Sequence, residues 1–301
     1  MIQEWDGLLL LDKPSGPTSH DLVDRVRAAT GERRVGHAGT LDPLASGLLP
    51  MVLGRATRLV RYLPVSPKSY HGTLRLGLTT RTDDVAGEVL TRHTGDLPSL
   101  ERLRSTAAAL EGESLQHPPA VSARKVGGRR LYRLAHRGVV VEAEPRPVTV
   151  RRFALAPVPG DPAAWSFEAD VSGGTYVRAL VRDLGRALGC GAIVTSLRRV
   201  AIGPMRPSPA LRFEASMPID PGRLREELLP LEEMPLEAPR VTVGDESAAT
   251  RFLAGTAAPL GEPAPDVEVC LVLDARGRLL GIGEMRERTL HPRVVLGRPP
   301  D

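Results

Sequence analysis

GHAGTLDPLASGLLPMVLG, residues Gly36 to Gly54, carries one carboxylate, Asp42, through a loop punctuated by glycine. Pro43 biases the residue before it toward extended backbone, so the direction of Asp42 is set by its own chain. Gly36, Gly39 and Gly47 supply backbone freedom around it. An Asp-Pro pair by itself is an ordinary turn opener whose carboxylate caps a nearby amide. A reactive group on constrained backbone is the competing reading, because such strain persists mostly where a site uses it.

Outward from this loop, 301 residues suit one large domain, or a domain of about 200 residues with a small companion. Hydrophobic residues at 42% permit a real core, while no apolar run approaches the ~18 residues of a membrane helix. MIQEWDGLLLLDKPSG lacks a basic lead, a long apolar stretch and a small-residue cleavage site, which predicts a cytoplasmic protein with no membrane partner. Cys190 and Cys270 stand far apart without a CxxC pattern, and His117, His136 and His291 are scattered, so neither a disulfide framework nor a metal site is expected.

Charge is unevenly placed around a net +4. Ala120 to Arg152 carries nine Lys or Arg against Glu142 and Glu144. Gly173 to Arg206 adds Arg178, Arg182, Arg186, Arg198, Arg199 and Arg206 against Asp183, whereas Glu214 to Glu246 holds nine acids and three arginines. This polarity suits a protein that lays one face on a phosphate backbone. The bland alternative is equally open: only three of the forty basic residues are lysine, so the arginines can reflect composition. Few aromatics leave no stacking platform, and recognition by shape and phosphate is expected.

Leu8 to Leu11 reads as a buried strand, followed by a helix capped by Thr18 or Ser19 with Leu22, Val23 and Val26 on its apolar face. Ala56 to Leu63 reads as helical, and Tyr70, Gly72, Leu74 and Leu76 alternate as a half-buried strand does. Leu100, Leu103, Ala107 and Leu110 have helical spacing behind Ser99. Trp165 to Val171 alternates toward Gly173-Gly174, and a helix beginning around Tyr176 and Arg178 ends at Gly189. The mixture lacks a βαβ rhythm and predicts an α+β fold with a mixed, largely antiparallel sheet. LPLEEMPLEAP, across Pro230 to Pro239, marks a boundary between a domain of residues 1–230 and one of 240–301, where Val241, Val243, Val267, Val269, Leu271 and Leu273 suggest strands.

The Gly36 to Gly54 string resembles the catalytic segment of the TruB family of tRNA pseudouridine synthases. GLLLLDKPSGPTSHDLVDRVR, KSYHGTLRLG, HPPAVSARKVGGRRLYRLAHRG and GGTYVRALVRDLGRALGCGAIVTSLRR follow the family's blocks in order, and GIGEMRERTLHPRVVL resembles the closing strands of a PUA-type RNA-binding domain. The resemblance implies a pseudouridine synthase fold with a small β-rich PUA-like domain after it. It implies isomerisation of uridine 55 in the tRNA T loop by base flipping, without cofactor or guide RNA, by a monomer that contacts the T stem-loop and elbow. Asp42 matches the catalytic aspartate, as nucleophile on sugar or base or as remover of a sugar proton. Arg178 matches its partner, Tyr70 the tyrosine that stacks on the uracil, and Tyr176 and Leu197 line the same pocket. His37 matches a residue that takes the place of the flipped nucleotide. Lys13 and Pro14 brace the loop, and Asp84 is an acid that can exchange partners with Arg178. Arg81 departs from the family's pattern, which has an acid there, and puts local loop contacts in question.

Without the resemblance, Tyr70, Tyr176 and Leu197 read as core residues, His37 as a loop hydrogen-bonder and Arg178 as a solvated first-turn arginine. Two rival functions remain at this level: an RNA chaperone acting on the tRNA elbow, and a guide-RNA-dependent enzyme. Retention of Asp42, Tyr70 and Arg178 together favours an enzyme over a pure binder, and the guide-dependent reading ranks third because there is no added basic tail and the blocks are of bacterial type.

Overall fold

The four leucines Leu8 to Leu11 lie within strand β1 (Gly7–Lys13), which is buried on both faces. Such a continuous apolar run is what a strand covered on two sides requires. A computed structural model describes residues 5–119, 125–126, 129–130, 144–214, 218–260 and 266–297, with backbone alone at 125–126, 129–130 and 210. After β1, Thr18 rather than Ser19 caps helix α1 (Ser19–Thr30). Its hydroxyl accepts from the Asp21 amide at 3.1 Å, and the Asp21 carboxylate accepts from the Thr18 amide at 2.7 Å, a reciprocal capping box. Gly31, at φ 71°, ends the helix.

Strand β2 (Val35–His37) pairs antiparallel with β3 (Ala45–Leu53), so Gly36 sits in ordinary strand and supplies no turn, contrary to the sequence expectation. Gly39 and Gly47 do lie at positive φ, 88° and 96°. Gly47 has a second reason to be glycine: a Cβ there would lie 2.2 Å from the Arg199 carbonyl oxygen of the neighbouring strand. The expected helix over Ala56 to Leu63 is a run of 3₁₀ turns over Gly54–Tyr62, and its first residue has no side-chain cap to anchor an α-helical start.

The chain continues through β4 (Lys68–Leu76), the small hairpin β5 (Leu78–Thr80) and β6 (Val89–Arg92), α2 (Leu100–Ala109, capped by Ser99), β7 (Gly112–Gln116) and the short pair β8 (Lys125–Val126) and β9 (Arg129–Arg130). Then come β10 (Arg146–Pro157), β11 (Ala164–Val171), α3 (Val177–Leu188) and β12 (Ala192–Ile202). Much of the basic Ala120 to Arg152 stretch falls outside the described residues. An eight-stranded sheet runs β1-β3-β12-β4-β11-β10-β7, with β2 paired to β3. Its one parallel pairing is β12 with β3, where Leu197 faces Ala45 and Arg199 faces Gly47. On its other side β12 pairs antiparallel with β4 and sets Arg199 opposite Tyr70. The end of the Asp42 loop, Tyr70 and Leu197 therefore arrive together from three adjacent strands. The fold is α+β with a mixed, largely antiparallel sheet.

A second, five-stranded sheet is built from β13 (Arg240–Val243), β14 (Ala258–Pro259), β15 (Val267–Asp274), β16 (Leu279–Arg286) and β17 (Thr289–Val295), in the order β13-β15-β16-β17-β14. This β-rich unit shares a core with the first sheet. Leu8, Val52 and Leu59 from one side meet Leu271, Leu273 and Ile282 from the other, with Leu231 and Met234 of the connecting segment between them. Each fully buried side chain of this size contributes about 1.5–3 kcal/mol. Arg55 Nη1 and Arg58 reinforce the joint by donating to the carbonyls of Leu296 and Val295.

Candidate active site

Three layers of contact aim Asp42. Ser19 Oγ accepts from the Leu41 amide at 2.9 Å and lies 3.1 Å from the Leu41 carbonyl, to which it can donate. The Gly16 amide donates to the Pro43 carbonyl at 2.8 Å, and Ser15 Oγ to Leu44 at 2.9 Å. Lys13, wholly buried, donates to the Pro14 carbonyl at 2.8 Å and reaches Pro43 at 3.5 Å. Burial pushes the Lys13 ammonium down to about 8, against the attraction of Asp42. The KPSGPTS turn thus clamps the backbone on both sides of Asp42.

The Asp42 carboxylate itself caps no amide among the described residues. It accepts from Arg178 Nε at 2.8 Å and remains 34% exposed, while the arginine is only 5% exposed. Arg178 is the second residue of α3, and its Nη1 also donates to the Thr82 carbonyl at 2.6 Å and approaches Asp84 Oδ2 at 3.4 Å. Asp84 is held in turn by Thr82 Oγ1 at 2.5 Å and the Ala86 amide at 3.0 Å. One buried guanidinium is therefore shared between two carboxylates, one sealed and one facing a cavity.

That cavity, about 470 Å³, is bordered by Asp42, Tyr70, Tyr176, Arg178 and Leu197. Its volume lies in the range that takes a small ligand. Lys68 and Arg146, which sequence reasoning passed over, complete its polar lining. His37, Lys13, Pro14 and Asp84 do not border it. His37 sits at the end of β2 with Nδ1 buried and without a hydrogen-bond partner among the described residues. Burial and the Arg199 charge lower its pKa and favour neutral imidazole. Tyr176, the N-cap of α3, is fixed by Gln116, which accepts from its amide at 2.9 Å and donates to its carbonyl at 3.1 Å. Leu197 lies within β12.

Only part of the basic stretch Gly173 to Arg206 is exposed, Arg186 and Arg206 most openly. Arg178 and Arg199 are buried, and Arg198 forms a two-armed pair with Asp12 at 2.8 and 2.7 Å. Arg182 is engaged by Asp83, Asp183 and the His117 carbonyl. Arg199 is the residue that charge counting misread most. Its Nε donates to the Leu48 carbonyl at 2.8 Å, Nη2 to Gly39 at 2.7 Å and Nη1 to Thr40 at 3.4 Å, and it also hydrogen-bonds Tyr70. Burial raises the Tyr70 phenol's pKa, and the adjacent guanidinium opposes that rise. Arg81, the departure from the family pattern, pairs with Glu88 at 2.9 Å near the surface, away from the cavity.

Asp83, beside this network, takes φ 60°, and burial raises its carboxyl from 3.8 to about 6 despite Arg182. A folded-state pKa above the unfolded one means stability present in acid and lost as pH rises through about 6. Asp83→Asn keeps a side chain that tolerates positive φ and removes the buried charge. It is expected to raise unfolding free energy by about 1–3 kcal/mol at pH 8 and to add little near pH 4, read by urea denaturation at both. Equal gains at both pH values would show the charge to be irrelevant.

Comparison with known proteins gives this geometry its class. Residues 27–177 match the TruB family pseudouridylate synthase (N terminal domain), and 178–234 match the tRNA pseudouridylate synthase B C-terminal domain. A protein named tRNA pseudouridine synthase B from Thermobifida fusca is 40% identical over 303 residues, covering 96% of this chain and 98% of its own. One of the same name from Solibacter usitatus is 39% identical over 296 residues, covering 97% and 100%. Among solved structures, a Cbf5-Nop10-Gar1 complex contains a chain with TM-score 0.69 and 25% identity, covering 98% of this chain and 86% of that one. Fold and relatives together define a pseudouridine synthase, an isomerase. The chain belongs to the TruB family.

Proposed function

We propose that this enzyme converts uridine 55 of the tRNA T loop to pseudouridine, with Asp42 as its catalytic carboxylate and without guide RNA or cofactor. The observation that carries the reading is the Asp42 carboxylate, clamped by its backbone, charge-paired to a buried arginine and open to a cavity walled by Tyr70, Tyr176 and Leu197. Near-full-length relatives named tRNA pseudouridine synthase B supply the substrate class.

The reaction breaks the bond between uracil N1 and ribose C1′, turns the base and joins C5 to C1′. The C5 proton leaves and N1 ends protonated, so atoms and electrons balance internally. An ionised carboxylate is required whether it attacks or abstracts a proton, and Arg178 orients that carboxylate through a hydrogen bond of 2.8 Å. Tyr70 and Leu197 retain the detached base, and Arg178 shifts its hold toward Asp84 as Asp42 engages. Extruding a stacked nucleotide costs roughly a few kcal/mol, and a neutral His37 filling its place lowers that cost. The C-terminal β-rich unit grips the acceptor end in the manner of a PUA domain.

Incubating the purified protein with a tRNA transcript tritiated at uridine C5 tests the reading. One equivalent of tritium released per tRNA, and none when position 55 is cytidine, is the expected result. Release independent of position 55 would overturn the site assignment, and tight binding without release would favour the chaperone.

A further inference from the structure

The cavity beside Asp42 holds cations that the Asp42–Arg178–Asp84 network does not explain. Lys68, the first residue of β4, and Arg146, the first of β10, both border it. The Lys68 ammonium has no hydrogen-bond or carboxylate partner among the described residues. Among these residues Arg146 has no carboxylate partner either, and its buried Nε has no acceptor. Its guanidinium lies over the Tyr176 ring at 4.4 Å, which fixes the plane of the group while leaving its polar edge free. Gly174, at φ 90°, admits it: a Cβ there would stand 3.3 Å from Arg146 Nη1.

The charges acting on Lys68 are both positive, Arg199 on β12 and Arg146 on β10. Across the cavity, Asp42 pairs with Arg178, which it shares with Asp84, and among the described residues neither carboxylate forms an ion pair with Lys68 or Arg146. Burial and these two neighbours bring Lys68 down to about 8, so the free enzyme spends free energy to keep the group charged. Half-buried cations without a carboxylate partner of their own are completed by an anionic ligand. The uracil and ribose that the reaction acts on carry none, but the chain joining them to the rest of the substrate does.

We propose that Lys68 and Arg146 form a phosphate-binding pair that seizes a backbone phosphodiester adjoining the nucleotide in the Asp42 cavity. The inference rests on the functional reading above and deepens it: the substrate is held at the reacting nucleotide by charge as well as by stacking. Lys68 supplies a point charge, and the planar fork of Arg146 takes the phosphate oxygens. A free nucleoside, lacking the phosphate, loses this anchor.

The test uses the full-length protein and a T stem-loop RNA that wild type modifies. One phosphate at a time beside the target uridine is replaced by an uncharged methylphosphonate, and Kd is measured for wild type, Lys68→Met and Lys68→Arg. At one of these positions wild type is expected to lose about 10- to 100-fold in affinity, the range of a lost charge-assisted hydrogen bond. Lys68→Met should show a similar loss on unmodified RNA and little further loss on the neutral RNA, and Lys68→Arg should bind nearly as wild type. Wild-type affinity should also fall as pH rises through about 8, and this fall should flatten in Lys68→Arg even though Lys13 titrates in the same range. Additive losses, or an unchanged Kd in Lys68→Met, would overturn the inference while product formation by wild type keeps the functional reading intact. Absence of product from wild type would bring down both.

Discussion

Asp42→Asn is expected to reduce pseudouridine formation by about 10⁴-fold or more while leaving RNA affinity within a few fold. The substitution keeps the shape of the side chain and an oxygen that can accept from Arg178 Nε, now 2.8 Å from the carboxylate. It removes the negative charge, and with it both the nucleophile and the base that the reaction admits. Arg178 retains Asp84 and the Thr82 carbonyl, so the buried guanidinium is not left without an anion and the fold survives. Single-turnover tritium release with saturating enzyme, beside a filter-binding Kd, separates the two effects. A large loss of affinity would mean that Asp42 holds the loop together rather than doing chemistry. A rate within tenfold of wild type would remove it from the catalytic step.

The parts of this site legible in sequence are those written in one short segment. The Gly39 and Gly47 turns, Pro43 and a helix cap at Thr18 or Ser19 are local signals, each with a mechanical reason visible along the chain. Alternation found β4 and β11, and helical spacing with a terminal glycine found α3. What stayed hidden depends on strand neighbours. Counting charges treats arginine as surface, because buried arginines are rare. Arg199 and Arg198 are adjacent in sequence yet point to opposite faces of β12, one into the core and one to Asp12. Lys68 and Arg146 stand 78 positions apart and meet only because β4 and β10 flank β11. The shared core between the sheets was likewise invisible, since apolar strand faces do not announce their partners. For that reason, cutting the chain after Pro239 would uncover Leu8, Val52 and Leu59 along with removing a candidate RNA contact.

Arg199→Met should lower both stability and turnover, by different routes. The wild-type guanidinium is fully buried, and carbonyl dipoles from Gly39, Thr40 and Leu48, with Tyr70, do for it what a carboxylate does elsewhere. Methionine fills much of the volume but donates nothing. The carbonyls left without donors, Leu48 the most deeply buried of them, cost about 2–4 kcal/mol together. Gly39 and Thr40 sit three and two residues from Asp42, so their release lets the carboxylate drift, and a displacement of about 1 Å is enough for roughly a 10²-fold loss of rate. Arg199→Lys should recover only part of either effect, because one ammonium cannot span carbonyls from β3 and from the loop. Thermal unfolding reads the first effect, and kcat measured well below the variant's melting temperature reads the second. A normal kcat under those conditions would make Arg199 a stability residue alone. A kcat reduced without change in RNA affinity would establish that the strand carrying Leu197 also sets the aim of Asp42.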